Sequence, residues 1–266
     1  MQCAWPQNQG TPNLTPQLRS MMKYFILTHT QDGATSGSAY PQVDATYPGE
    51  IIRLEIYKYS NRPLPDNTRF PDFKLKYRAK LTDVLTAVSS DSVFNILMSP
   101  KCLHVLSQFK LTAYQVFDAT VIDKKGNRLP YKMVHSHEPK DNDYVDYALT
   151  HYFLVTGHDF SVTPYITIGE DINVNSIEEL HGVVHARKRG SVCAKALYLK
   201  EDKIAHDAFP LRNPMAWVVN EKVADALIGA RITGIALIPL SQGEDFCAES
   251  IAIKAQKLAE GERENG

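Results

Sequence analysis

The chain has 266 residues, 44% of them hydrophobic and 22% charged, a globular balance that excludes a disordered chain, a collagen-like repeat or a coiled-coil rod. Lys plus Arg number 29 and Asp plus Glu 30, a formal charge of −1. That excludes the global basic excess of proteins that bind chiefly to nucleic-acid phosphates. No apolar run approaches the roughly 18 residues that read as a membrane-spanning helix.

Residues 1–20 carry Pro6, Pro12 and Pro16 among Gln, Asn and Thr. They hold too little apolar surface to offset ordering entropy, so a disordered arm is expected. With no basic-then-apolar leader, the chain reads as cytoplasmic. Cys3, Cys102, Cys193 and Cys247 are isolated, without a CxxC pair, and reduced thiols are expected, with Cys102 buried in a helical apolar pattern.

Tyr24–Thr30 predicts a first strand. The Gly- and Pro-containing stretch Gln31–Glu50 predicts a long loop, Ile51–Tyr59 alternates as a strand, and Pro63, Pro65 and Pro71 make 60–72 a loop. Phe73–Lys80 alternates again, and Phe94–Met98 is a short apolar strand. Ser99-Pro100 supplies an N-cap followed by a first-turn proline, so a helix begins there, with Leu103, Leu106 and Phe109 on one face. Tyr114–Ile122 and Leu129–His135 flank Asp123-Lys-Lys-Gly126-Asn, which is hairpin chemistry. Tyr144–Thr156 fits helix or strand. Ala194–Leu199 and Ile204–Leu211 flank the polar turn Lys200–Lys203. Ala216–Val219 reads as a strand, Asn220 as a cap, Val223, Ala226 and Leu227 as one helical face ended by Gly229, and Ile235–Leu240 as a buried strand. A short amphipathic helix and an acidic tail fill 244–266.

Two stretches echo each other at an offset of 121 residues. Ile96-Leu97-Met98-Ser99 aligns with Trp217-Val218-Val219-Asn220, Lys101 with Lys222, Leu106 with Leu227 and Thr112 with Thr233. Upstream, Asp83-Val84-Leu85 resembles Asp207-Ala208-Phe209. Each unit reads strand, capped helix, strand, and a helical crossover favours a parallel strand pair. The expected fold class is α+β: a mixed sheet with two similar strand–helix–strand units, about 94–121 and 216–240, and a β-rich N-terminal part. In domain terms this gives the arm 1–20, the β-rich part 21–80, a duplicated α+β body over 81–243, and the tail 244–266.

Chemistry-bearing patterns are few. His135 and His137, two apart on a strand, put both imidazoles on one face, a geometry that metal-dependent hydrolases use. His181 and His185 are four apart without a glutamate between them suited to metalloprotease chemistry. Neither a nucleophile elbow nor a glycine-rich phosphate cradle is present. The run Arg187-Lys188-Arg189 suits phosphate or, more simply, a solvated loop. Hence no catalytic residue, metal or cofactor is expected. The stretch Glu138 to Tyr147 is the favoured contact surface, with Glu138, Asp141, Asp143 and Asp146 supplying charge and Tyr144 and Tyr147 supplying rings to grip a basic partner.

The succession of Thr82-Asp83-Val84-Leu85, Ser99 with Lys101, the hairpin, Asp207-Ala-Phe209, Trp217-Val-Val-Asn-Glu-Lys222 and Ile232-Thr-Gly234 resembles the myxobacterial-type immunity family of bacterial polymorphic toxin systems over roughly residues 81–240. Asn220 stands where that family's second cap is usually serine, an equivalent capping residue. The resemblance implies a non-enzymatic, cytoplasmic antidote whose partner is a cognate toxin domain, with no nucleic-acid or membrane partner. The alternatives are a metal-dependent hydrolase using His135 and His137 and a nucleic-acid-binding module using Arg187–Arg189.

Overall fold

Three sheets built from thirteen strands organise the described residues. These are 23–30, 32–45, 62–87, 95–136, 144–159, 166–186, 191–211 and 216–240 of a computed structural model. Strand β1 (Tyr24–His29) leads to a single helical turn, α1 (Gly33–Ser36), capped by the Asp32 carboxylate, and to β2 (Val43–Ala45). Then come β3 (Phe73–Leu75), β4 (Val84–Leu85), β5 (Asn95–Met98), α2 (Pro100–Leu106), β6 (Tyr114–Ile122) and β7 (Arg128–Ser136). The rest comprises β8 (His151–Asp159), β9 (Ile166–Ile172), α3 (Ile177–Ala186), β10 (Ser191–Ala196), β11 (Ala208–Leu211), β12 (Ala216–Asn220), α4 (Glu221–Gly229) and β13 (Ile235–Leu240).

The fold is α+β with a mixed sheet, as the sequence implied. A six-stranded sheet runs β2-β3-β6-β7-β5-β4, a four-stranded sheet β11-β12-β1-β13, and a three-stranded sheet β10-β8-β9. Only β3 and β6 pair in parallel; every other ladder is antiparallel.

The two echoed units adopt the same arrangement. In the first, β4-β5-β7-β6 lie side by side; in the second, β11-β12-β1-β13 do. The expected parallel neighbours do not touch. β5 and β6 share a direction, but β7 lies between them, and β1 takes the same place between β12 and β13. The crossover helix therefore spans a strand rather than joining neighbours. β7 follows β6 through the hairpin, whereas β1 comes from the opposite end of the chain. Strands from 21–80 are thus built into both large sheets.

Alternation divides the core. Tyr24 and Ile26 of β1, Val218 of β12 and Phe209 of β11 face a cluster shared with Tyr152, Ala194 and Leu180 beneath the small sheet and α3. Phe25 and Leu27 face the other way, where Trp217, Val219, Val223 and Leu227 meet Met98, Cys102, Leu106 and Val134. That second cluster is where α2 and α4 touch each other and the inner faces of both large sheets. Leu97, Met133, Phe73, Val121 and Tyr131 fill a third cluster on the outer face of the six-stranded sheet. Each fully buried Leu, Val or Phe here contributes about 1.5–3 kcal/mol of transfer free energy.

Several expected elements differ. Gln31–Glu50 contains α1 and β2 rather than continuous loop. Phe73–Lys80 stops being a strand after Leu75, because Lys76–Ala79 closes a turn through the Ala79 N–H donating to the Lys76 carbonyl at 3.1 Å. Tyr144–Thr150 is turn structure ahead of β8. Gly229 is the last helical residue of α4, and Arg231 takes the left-handed φ of 51°. β13 is an edge strand and half-buried. The expected arm 1–20, strand 51–59 and segment 244–266 lie outside the described residues.

Candidate functional site

The motif residues 82–85, 99–101 and 232–234 converge on one carboxylate. Asp83 precedes β4, and its Oδ1 accepts from the Ser99 hydroxyl at 2.7 Å. Ser99 Oγ in turn accepts from the Cys102 N–H at 3.1 Å, the N-cap bond of α2. Asp83 Oδ2 accepts from the Thr233 N–H at 2.9 Å and from the Thr233 hydroxyl at 3.0 Å. Lys101 Nζ lies 3.8 Å from the same oxygen and donates to the Arg231 carbonyl at 3.2 Å. Gly234, at φ 86°, closes the approach: a Cβ there would stand 2.2 Å from the Val84 carbonyl oxygen, so no side chain fits. Burial by itself would raise the Asp83 pKa. The hydrogen bonds from Thr233 and Ser99, with the Lys101 charge, outweigh it and hold the carboxyl below its ordinary range.

A second carboxylate repeats the pattern. Asp207, before β11, accepts at Oδ1 from Asn220 Nδ2 at 2.7 Å, and Asn220 Oδ1 accepts from the Val223 N–H at 3.1 Å to cap α4. Asp207 Oδ2 accepts from the Lys110 N–H at 2.9 Å, and its own N–H donates to the Lys110 carbonyl at 2.7 Å. Each aspartate therefore holds its own unit's helix cap with one oxygen and the other unit's post-helix segment with the other. The grips differ in register, since by the 121-residue offset Lys110 corresponds to Arg231 rather than to Thr233. These aspartates escaped the sequence reading as partners, although the echo of Asp83 in Asp207 was its signal.

His135, one of the two histidines of the alternative hydrolase reading, is a structural tie. His135 is fully buried; its Nδ1 lies 2.9 Å from Asn95 Oδ1 and its Nε2 3.2 Å from the Arg62 carbonyl. With the Asn95 amide turned over, Nδ2 donates to Nδ1 and the imidazole donates from Nε2, which satisfies an amide nitrogen otherwise buried without a partner. Both ring nitrogens are then engaged, and neither lone pair is aimed at a metal. His137 and Arg187–Arg189 lie outside the described residues, and among those described no group of three or more His, Cys, Asp or Glu is arranged to hold a metal ion. Cys102 is buried as expected, and burial pushes its thiol up to about 12, so it stays protonated.

The favoured contact segment needs correction. Glu138, Asp141 and Asp143 lie outside the described residues. Tyr144 and Tyr147 are 7% and 8% exposed and belong to the core, so neither ring is presented to a partner. The Tyr144 ring meets Phe209 edge-on at 4.8 Å and its hydroxyl shares a hydrogen bond with His206 Nδ1 at 2.5 Å; Tyr147 stacks on Tyr152 at 6.2 Å. Their spacing of three placed them on one helical face or on opposite strand faces. A turn buries both, because Lys200 N–H donates to the Tyr144 carbonyl and Asp146 N–H to the Tyr198 carbonyl, drawing the segment down against 198–200. Asp146 is half-buried and accepts from the Leu149 N–H at 3.2 Å.

Among the described residues no helix is long and apolar enough to cross a membrane. A scan against protein-family models finds no match for the chain, and a search of curated proteins finds none either.

Proposed function

We propose that this protein is a non-enzymatic immunity protein that binds a cognate bacterial toxin domain in the cytoplasm and occludes it, as a member of the myxobacterial-type immunity family. The observation that carries this reading is the convergence on Asp83. The three motifs that resemble the family sit far apart in sequence and meet as one hydrogen-bonded junction, echoed at Asp207. Their work is architectural: they lock two similar units together around a shared core and leave the outer surface for a partner. The half-buried Asp83 and the buried Ser99, Asn220, His135 and Cys102 are committed to internal contacts or held protonated, which favours binding over catalysis. Occlusion needs an interface of ordinary size, about 1,600 Å² in total, with affinity concentrated in a few aromatic or Arg anchors.

The test is co-expression. The gene beside this one is read, the C-terminal domain of any multi-domain toxin it encodes is expressed with and without this chain, and survival and complex formation are measured. Rescue with a stable complex is expected. A neighbouring toxin that kills equally in the presence of this chain overturns the reading.

A further inference from the structure

The most exposed large apolar side chain among the described residues sits where turn chemistry does not call for it. Tyr77 is 87% exposed and occupies, with Arg78, the two central positions of the turn Lys76–Ala79. Gly, Pro, Asn, Asp and Ser dominate such positions because each assists the backbone; Tyr and Arg do neither. Across from this turn lies Tyr40, 65% exposed, and next along the chain Leu81, 45% exposed.

The surrounding backbone is fixed. Ser38 N–H donates to the Arg78 carbonyl at 3.0 Å and Lys80 N–H to the Ser36 carbonyl at 2.8 Å, while Lys76 N–H donates to the Gln42 carbonyl at 2.9 Å. Tyr40 thus lies in the excursion between two ladder contacts that bracket Tyr77. Gly37, at φ 81°, lets the two segments close, since a Cβ there would stand 2.1 Å from the Arg78 carbonyl oxygen. Buried Gln42 clamps the base through Nε2 to the Lys80 carbonyl at 2.9 Å and Oε1 to the Thr86 N–H at 3.1 Å. Rings held on a rigid turn lose little entropy when a partner covers them.

Charge selects the partner. Lys74, Lys76, Arg78 and Lys80 alternate along this edge. Lys76 pairs with Asp44 at 3.1 Å, whereas Lys80 Nζ donates only to the neutral Ala34 carbonyl at 2.6 Å, so exposed Lys74, Arg78 and Lys80 carry the outward positive charge. Three cations along an edge that carries two tyrosines suit an acidic protein surface better than a run of phosphates, which calls for a longer basic track.

We infer that the Tyr40–Tyr77–Arg78 corner is a docking surface for an acidic protein partner, with Tyr77 as its anchor; the identification of that partner as the toxin domain rests on the reading proposed above. The experiment uses the full chain and the neighbour-encoded toxin domain. Tyr77→Ala should weaken binding at least about tenfold, and Arg78→Glu should slow association and flatten its salt dependence, both with unchanged melts. Wild type that protects, with both variants protecting and binding equally well, overturns the docking surface and spares the immunity reading. Wild type that does not protect removes the immunity reading, and the surface is then judged by a photo-crosslinking phenylalanine analogue at position 77 in the native cell. A crosslink to an acidic peptide of one protein, lost with Arg78→Glu, sustains the surface; a crosslink to nucleic acid, or none, overturns it.

Discussion

Asp83 and Asp207 are reciprocal. Each binds the cap of its own helix with Oδ1 and, with Oδ2, a segment of the opposite unit, Thr233 in one case and Lys110 in the other. Neither unit closes its own helix exit without the other. The contact of α2 with α4 and the shared cluster around Leu106 and Leu227 belong to the same mutual closure.

Removing the caps tests this directly. Ser99→Ala and Asn220→Ala each take away an N-cap bond worth about 0.5–2 kcal/mol. Each also strands one oxygen of an aspartate, so losses toward the upper end are expected in denaturant melts. Asp83→Ala should cost more than Ser99→Ala, because Thr233 loses its acceptor as well.

Leu106→Ala and Leu227→Ala should each destabilise by about 2–5 kcal/mol, since both side chains are fully buried where the helices meet. Melts that match wild type would contradict the packing.

Tyr147→Ala and Tyr144→Ala should behave as core lesions, at about 3–5 kcal/mol each by analogy with other buried aromatics. Tyr144→Phe should cost less, losing only the hydroxyl's hydrogen bonds to His206 and to the Ala205 backbone. A Tyr147→Ala protein with a wild-type melt and weakened partner binding would restore the acidic segment as an aromatic grip.

Acid should destabilise the protein in two steps. Burial pushes the His29 pKa down to about 4, so between the ordinary value near 6.5 and about 4 the unfolded chain binds the extra proton. Stability present above pH about 6.5 is therefore lost as pH falls toward 4, and His206, lowered by burial and by the Lys110 charge, acts in the same direction. Asp83 is held below its ordinary range, so its contribution disappears at lower pH still, as the carboxylate protonates. Urea melts of wild type and His29→Phe across this range should show a shallower pH slope in the variant.

A chain starting at Met21 should melt like the full chain, because it keeps β1. A chain starting at Gln31 should not fold, because β1 is hydrogen-bonded on both edges and its side chains enter two core clusters. Circular dichroism of the two separates the outcomes.

What the sequence made legible was local. Ser99-Pro100, Asn220 and Asp123 to Gly126 carry their own capping and turn chemistry, and each stands where that chemistry put it. The echo between units was also readable, because equivalent core positions demand similar residues. Pairing was not. Nothing within Tyr24–His29 says that its neighbours are β12 and β13, since an alternating apolar strand fits any two-sided berth. The tyrosines of 144–147 look like surface residues beside carboxylates, and only the distant carbonyls and amides of 198–200 pull them inward. Tyr77 was concealed by its strand-like alternation, which the turn interrupts.

The berth of β1 has a consequence for biosynthesis. Ile26 pairs with Val218 and Ile238, so β1, the earliest of the described strands to be synthesised, waits for nearly the last described residues before its edges are satisfied. At about 5–20 residues per second, that leaves Tyr24–His29 exposed for on the order of ten seconds or more, an apolar ribbon open to chaperones and to neighbouring nascent chains. The middle of the chain, whose β6–β7 hairpin closes on itself, has no such delay. The capture of β1 by β12 and β13 should therefore come late among the described pairings, and slow elongation should lower the yield of native protein more than it lowers its stability.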